Sequence, residues 1–143
     1  MSHEQNIAAF RRIIEEGFGR GNLQVVDELF DAQMVEHQAG MQSPNREGVK
    51  AAIRSLRRSF PDLHYTFEHI VTDGDMVWGH IKGHGTQLGP FGPLPPTGKT
   101  IEIDVIDIGR FENGKLVEHW GVPDRLSLLE QLGMMPQGRP QSA

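Results

Sequence analysis

The sequence predicts an α+β fold in which a curved antiparallel sheet wraps around N-terminal helices and encloses a cavity. Apolar residues recur with helical spacing up to about residue 60, whereas residues 63–122 alternate apolar and polar side chains as strands do. Such segregation of helices and strands is typical of α+β domains. The apolar faces of the helices and of the sheet are both buried only if the sheet curls around the helices. We expect the enclosed cavity to bind a small molecule.

Four helices are expected, three before the strands and one after them. Apolar stripes and stop signals place them over residues 10–18, 23–30, 44–60 and 124–132. Ser43 and Pro44 predict the N-cap and the first residue of the third helix, and Asp124 predicts the N-cap of the last one. Gly133 ends that helix. A brief extended piece over residues 33–38 precedes the third helix.

Period-two alternation predicts four strands, over residues 63–68, 76–86, 100–111 and 115–122. Turn sequences at Thr72–Asp75 and Glu112–Gly114 join antiparallel neighbours. The segment 87–99 is rich in proline and glycine, which predicts a long ordered loop or a lid over the cavity.

Length and composition exclude several classes of protein. The 143 residues fit one domain, with a core over about residues 6–133 and a flexible tail over 134–143. A net charge of -5 argues against a nucleic-acid partner, and the lack of cysteine excludes disulfides, thiolate catalysis and Cys-based zinc sites. No apolar run is long enough to span a membrane, and the polar N-terminus does not resemble a signal peptide. We therefore expect a cytoplasmic protein without membrane partners.

Two segments resemble the SnoaL-like polyketide cyclase (ester cyclase) family of the nuclear-transport-factor-2-like (NTF2-like) superfamily. They are GTQLGPFGPLPPTGK over residues 85–99 and DIGRFENGKLVEHW over residues 107–120, and the resemblance extends from about Asn6 to Gly133. It implies a cone-shaped α+β fold and an intramolecular aldol closure that needs no metal or cofactor. In such a reaction an acid removes a proton next to a carbonyl, and polar neighbours stabilise the enolate. The superfamily also includes dehydratases, isomerases, epoxide hydrolases and non-enzymatic binders, so the resemblance implies the fold more firmly than the reaction.

The resemblance also points to Asp107 as the catalytic acid or base. The family's acid falls directly after the His-Trp pair, where this chain has Gly121, and a polar residue of the preceding strand falls at Asp107. The carboxylate has then moved across the hairpin. Asp107 shares a strand face with three apolar residues, which predicts burial, and burial favours a carboxylate that accepts a proton near neutral pH. A structural ion pair is the alternative.

His119 and Trp120 are candidates on the fourth strand. His119 shares a face with Gly121, so we predict that it is the second catalytic residue and donates a hydrogen bond to the enolate. Gly121 leaves space there for a ligand or for a neighbouring side chain. Trp120 points to the opposite face, and ordinary packing is the alternative to ligand contact.

Three further residues are candidate ligand contacts. His37 belongs to a segment that enters the cavity mouth in the family that the sequence resembles, and a surface or hydrogen-bonded core histidine is the alternative. Trp78 offers a flat wall for a polycyclic ligand, and His80 on the same strand face offers a donor. A solvated or dimer-facing surface is the alternative for this pair. His80 and His84 are roughly 13 Å apart along a strand, so they predict no metal site.

These observations predict an enzyme that performs aldol cyclisation, isomerisation or dehydration on a small hydrophobic carbonyl compound. A non-catalytic small-molecule binder is the alternative, which Gly121 favours, and an assembly protein is a third interpretation. We expect no cofactor and no metal. The convex face of the sheet would expose Trp78 and other apolar side chains, which predicts a homodimer.

Overall fold

The computed structural model describes residues 2–134, so the predicted tail lies outside the described residues apart from Met134. Helix α1 (His3–Arg12) begins with a capping box between Ser2 and Gln5 and continues into a π-helical turn over Ile13–Phe18. The remaining elements are α2 (Gln24–Leu29), β1 (Phe30–Glu36), α3 (Arg46–Ser59), β2 (His64–Asp73), β3 (Met76–Thr86), β4 (Thr100–Glu112), β5 (Lys115–Pro123) and α4 (Arg125–Gln131). The predicted α+β class is confirmed.

The strands form one curved, open sheet in the order β1-β5-β4-β3-β2. Strands β2 to β5 pair antiparallel, as the turns between them predict. The sheet contains one strand more than predicted, because the extended piece before the third helix is a full strand. It begins at Phe30 and pairs in parallel with β5, so that Glu36 lies opposite His119.

The start of α3 also differs from the prediction. Asn45, not Ser43, is the N-cap, and its side-chain oxygen accepts a hydrogen bond from the Gly48 N–H at 3.1 Å. The Ser43 hydroxyl donates to that same oxygen at 2.8 Å, so Ser43 orients the cap. The helix therefore begins at Arg46. The predicted cap of α4 at Asp124 and its end at Gly133 are confirmed.

The core fills the concave side of the sheet. Phe10 and Ile13 of the N-terminal helix pack there with Ile53 of α3 and with inward-facing residues of the central strands. A side chain at Gly79 would come within 2.7 Å of the Phe10 ring, so this glycine lets α1 lie close to β3. The concave face is therefore covered by helices except where it borders a cavity.

The segment between β3 and β4 is an ordered loop, as predicted. The buried Gln87 side chain accepts hydrogen bonds from the amide and hydroxyl of Thr97 and donates to the carbonyls of Gly89 and Pro95. Phe91 of this loop packs against Phe60 at the end of α3. Within residues 2–134, no helix combines the length and apolarity needed to cross a membrane.

Candidate active site

A cavity of about 350 Å³ lies between the concave face of the sheet, the π-helical turn and α3. Its walls are mostly apolar and include the aromatic rings of Phe18, Phe60 and Phe91. The side chains that bring polar groups to its lining are Gln38, Gln42, Ser55, Tyr65, Asp107 and Arg125. An apolar pocket with a few polar groups is the usual form of a small-molecule site.

Asp107, His119 and Glu36 form a buried hydrogen-bonded row across three adjacent strands. Each residue is at most 6% exposed. Nε2 of His119 is 2.7 Å from Oδ1 of Asp107, and Nδ1 is 2.7 and 2.9 Å from the two carboxylate oxygens of Glu36. The row follows from strand register, because Glu36 lies opposite His119 and Asp107 lies opposite Gly121.

The two carboxylates keep His119 protonated. Burial disfavours the imidazolium, but the charges and hydrogen bonds of Asp107 and Glu36 outweigh it and raise the pKa of His119 to about 10. Both ring nitrogens therefore donate at neutral pH. With two carboxylates and one imidazolium, the row carries a net charge of about -1.

Asp107 is the member of the row that lines the cavity. Its Oδ1 accepts from His119, and no residue of the described chain donates a hydrogen bond to its Oδ2. Oδ2 is therefore available to a bound molecule. His119 does not line the cavity, and both of its ring nitrogens bond to carboxylates, so it is not placed to make the predicted hydrogen bond to a ligand. It holds Asp107 instead.

Gly121 leaves space for a neighbouring side chain. A Cβ at this position would lie 2.8 Å from Oδ1 of Asp107 and would overlap the side-chain oxygen of Gln38. The Gln38 carboxamide thus fills the space that a side chain at position 121 would enter, beside Asp107 and against the cavity. The space expected at Gly121 is therefore present, and the Gln38 side chain occupies it.

A model of the SnoaL-like polyketide cyclase family matches residues 8–132. The chain belongs to this family. A search of curated proteins finds no match.

Solved structures agree with the family assignment. IdmH from Streptomyces antibioticus, a proposed polyketide cyclase, is 30% identical, and the match covers 90% of this chain and 99% of IdmH with a TM-score of 0.80. TsrD from Streptomyces laurentii is 24% identical over 94% of this chain and 99% of TsrD, with a TM-score of 0.84. AclR from Streptomyces galilaeus, a proposed hydroxylase, is 24% identical over 95% of this chain and 89% of AclR, with a TM-score of 0.84. The last two show the fold alone.

Tyr65 is another polar residue in the cavity lining of this SnoaL-like protein. Its ring lies over Gly83, its register partner on β3, where a Cβ would be 3.1 Å from the ring. Burial and the charge of Asp107 raise the pKa of the Tyr65 phenol well above its usual range, which Arg57 opposes more weakly. The phenol is therefore neutral at physiological pH and can donate a hydrogen bond.

The other predicted ligand contacts lie outside the cavity. Trp78 and His80 are on the convex face, because the residues that alternate with them on β3 face the core. Nε2 of His37 donates to Oε2 of Glu118 at 2.8 Å, and the His37 ring stacks on Trp120 with ring centroids 4.8 Å apart. None of these four residues lines the cavity, so they do not make the predicted contacts there.

Sequence reasoning missed Glu36 and Gln38. Both share strand parity with the buried Met34, whereas His37, which the prediction chose, has the opposite parity. The alternation of side chains along this segment was the sequence signal that could have identified Glu36 and Gln38. Within residues 2–134, no group of three or more His, Asp or Glu side chains is arranged to hold a metal ion.

Proposed function

We propose that this protein is a cyclase-like enzyme that performs cofactor-free acid–base chemistry on a small hydrophobic carbonyl compound, with Asp107 as the general base. One observation carries the proposal. A buried carboxylate borders an apolar cavity, with Oδ1 held by His119 and Oδ2 accepting no hydrogen bond from residues 2–134. A proton acceptor placed in this way suits removal of a proton next to a carbonyl.

The chemical step needs only groups that line the cavity. Oδ2 of Asp107 takes a proton from the carbon beside the carbonyl, and the electron pair of the broken C–H bond forms the enolate. Tyr65 and Gln38 line the cavity near Asp107, and both can donate a hydrogen bond to the enolate oxygen. The enolate carbon then attacks a second carbonyl of the same molecule, and Asp107 returns its proton to the new alkoxide. In isomerisation, Asp107 returns the proton to a different carbon. In dehydration, the enolate expels a β-hydroxyl group, which takes the proton from Asp107 and leaves as water.

His119 and Glu36 act as positioning residues in this mechanism. The imidazolium fixes Oδ1 of Asp107, and Glu36 fixes the imidazolium through both of its oxygens. Uptake of the proton by Asp107 brings the net charge of the row from about -1 to zero while the negative charge moves to the enolate. The total charge of the site is therefore unchanged during the step.

The proposal is tested by proton exchange with a simple ketone. We expect the wild-type protein to accelerate the exchange of the protons beside the carbonyl of α-tetralone in deuterium oxide, followed by proton NMR. Asp107→Asn should lower the enzyme-dependent rate by roughly 10²–10⁴. Asp104→Asn is the matched control, because Asp104 lies on the same strand but is exposed and bonds to His80. Full exchange in Asp107→Asn would contradict the assignment of the base.

Gly121 supports a second candidate function, a non-catalytic small-molecule binder. The family's acid falls at this position in the sequence resemblance, and here the position has no side chain. The same experiment separates the two functions. A binder would take up α-tetralone, shown by shifts of cavity resonances, without accelerating exchange above the rate in buffer.

A further inference from the structure

The cationic side chain of Arg125 lies at the mouth of the cavity. Among the described residues that line the cavity, Arg125 is the one lysine or arginine. Its Nη2 donates to the carbonyl of Ala39 at 3.1 Å, and a Cβ at Gly40 would lie 2.9 Å from Nη2. The exposed segment 39–40 therefore holds the guanidinium at the rim of the cavity.

Arg125 forms no ion pair with any carboxylate of residues 2–134. This distinguishes it from Arg11, Arg12 and Arg110, which pair with glutamates. A guanidinium presents several N–H donors in a planar fork that matches a carboxylate. Within the described chain, Arg125 forms one hydrogen bond, to Ala39, so most of its N–H donors remain available to a ligand.

The position of Arg125 relative to Asp107 follows from the register of β4 and β5. Asp107 lies opposite Gly121 and Val105 lies opposite Pro123, two residues before Arg125. Pro123 is thus displaced from Gly121 by roughly 7 Å along the strand, and Arg125 follows Pro123 at the start of α4. The cation and the base are therefore separated along the strand direction.

Charge favours one orientation of an anionic ligand. The buried row carries a net charge of about -1 with His119 protonated, so it disfavours a second anion beside Asp107. Arg125 favours an anion at the rim. A ligand with one anionic end is thus placed with its neutral, reactive part inside the cavity.

We propose that Arg125 is a carboxylate-binding subsite and that the substrates are hydrophobic carbonyl compounds that bear a carboxylate. The carboxylate pairs with the guanidinium at the rim, and the carbonyl lies near Asp107. The identity of the reactive end rests on the proposed function. The anion subsite rests on the placement and free donors of Arg125.

Two probes that share the naphthalene ring and differ in charge and by one methyl group test the subsite. The affinities of β-naphthoate and methyl β-naphthoate are measured by calorimetry at about pH 7, where the carboxylate is ionised. We expect the wild-type protein to prefer β-naphthoate by about tenfold or more. Arg125→Gln should abolish this preference by weakening the binding of β-naphthoate, and Arg125→Lys should retain part of it.

Arg54→Gln is the matched control, because Arg54 is exposed on α3 and does not line the cavity. It removes the same charge and should leave both affinities unchanged. The subsite is overturned if the wild-type protein binds both probes equally or binds neither. It is also overturned if Arg125→Gln, folded by circular dichroism, keeps the preference.

The variants also separate this proposal from the proposed function. Asp107→Asn should retain the preference for β-naphthoate while it loses the exchange of α-tetralone protons. Loss of the preference in Arg125→Gln without any exchange activity in the wild-type protein would support the subsite and contradict the chemistry. Exchange activity without a preference for the carboxylate would contradict the subsite and support the chemistry.

Discussion

His119 lies between two buried carboxylates, and its charge state determines the electrostatics of the site. A neutral imidazole could donate to only one of them, so the other buried carboxylate would lose its hydrogen bond from His119. The imidazolium donates to both. The same cation that positions Asp107 therefore also reduces the cost of burying Glu36.

This arrangement predicts that stability falls at alkaline pH. The pKa of His119 is about 10 in the folded protein against an ordinary value of 6.5, so the folded state binds the proton more tightly. The stabilisation is complete below about pH 6.5 and is lost as the pH rises toward 10, by up to about 1.4 kcal/mol per pH unit. Urea unfolding between neutral pH and pH 10 measures this slope.

The His119→Asn variant supplies the comparison. It should be less stable at neutral pH and should lose the part of the slope that comes from His119. Nitrogen-resolved NMR of the imidazole gives an independent readout, since both ring nitrogens should keep their protons above neutral pH. A neutral His119 ring at about pH 8 would contradict the assigned charge state.

Strand parity explains how much of the site the sequence predicted. The alternation of β4 and β5 correctly placed Asp107 and His119 on the concave face, because side chains of a strand alternate between faces. Glu36 depends on the pairing of β1 with β5, between residues 83 positions apart, and no local pattern reveals that pairing. The α+β class follows from local periodicity alone, so it was easier to predict from the sequence than the candidate site.

Strands β1, β4 and β5 lie next to one another near Gly121, and the close packing there predicts the effect of adding a methyl group at this position. Gly121→Ala should displace the Gln38 carboxamide, because the new Cβ would overlap its oxygen. It should also crowd Oδ1 of Asp107, which would lie 2.8 Å from that Cβ. We expect a loss of stability of about 1–3 kcal/mol and slower exchange of α-tetralone protons. Thermal unfolding and the exchange rate are the measurements.

The loss should be smaller when Gln38→Ala is already present, because the carboxamide no longer fills the space. Gly17→Ala is the matched control, since its Cβ would meet only Val25, at an ordinary contact distance of 3.8 Å. A stability loss in Gly121→Ala that is independent of residue 38 would show that Gln38 does not occupy this space in solution.

On the scale of the whole molecule, the two faces of the sheet differ in composition. The concave face borders the core and the cavity, whereas the convex face carries apolar side chains in register across four strands. In strand order these are Val71, Trp78, Ile108 and Trp120. Val71 is 61% exposed, Trp78 is 42% exposed, and the neighbouring Val122 is 65% exposed. A contiguous apolar surface of this kind is typical of an interface.

We therefore predict that the protein forms a homodimer through the convex face. Light scattering at micromolar concentration should give twice the chain mass of 16.0 kDa. Trp78→Glu should shift the protein to the monomer, because it places a charge at the centre of the apolar row. Leu126→Glu is the control, since Leu126 is also apolar and 55% exposed but lies on α4 and not on a strand of the sheet.

The same variants test whether assembly and the candidate site are independent. Trp78 is on the face opposite Asp107, so monomeric Trp78→Glu should bind β-naphthoate and exchange α-tetralone protons as the wild-type protein does. A monomeric wild-type protein at micromolar concentration, or a dimer that persists in Trp78→Glu, would contradict the predicted interface. Loss of exchange in a folded Trp78→Glu monomer would instead show that the cavity depends on the second copy.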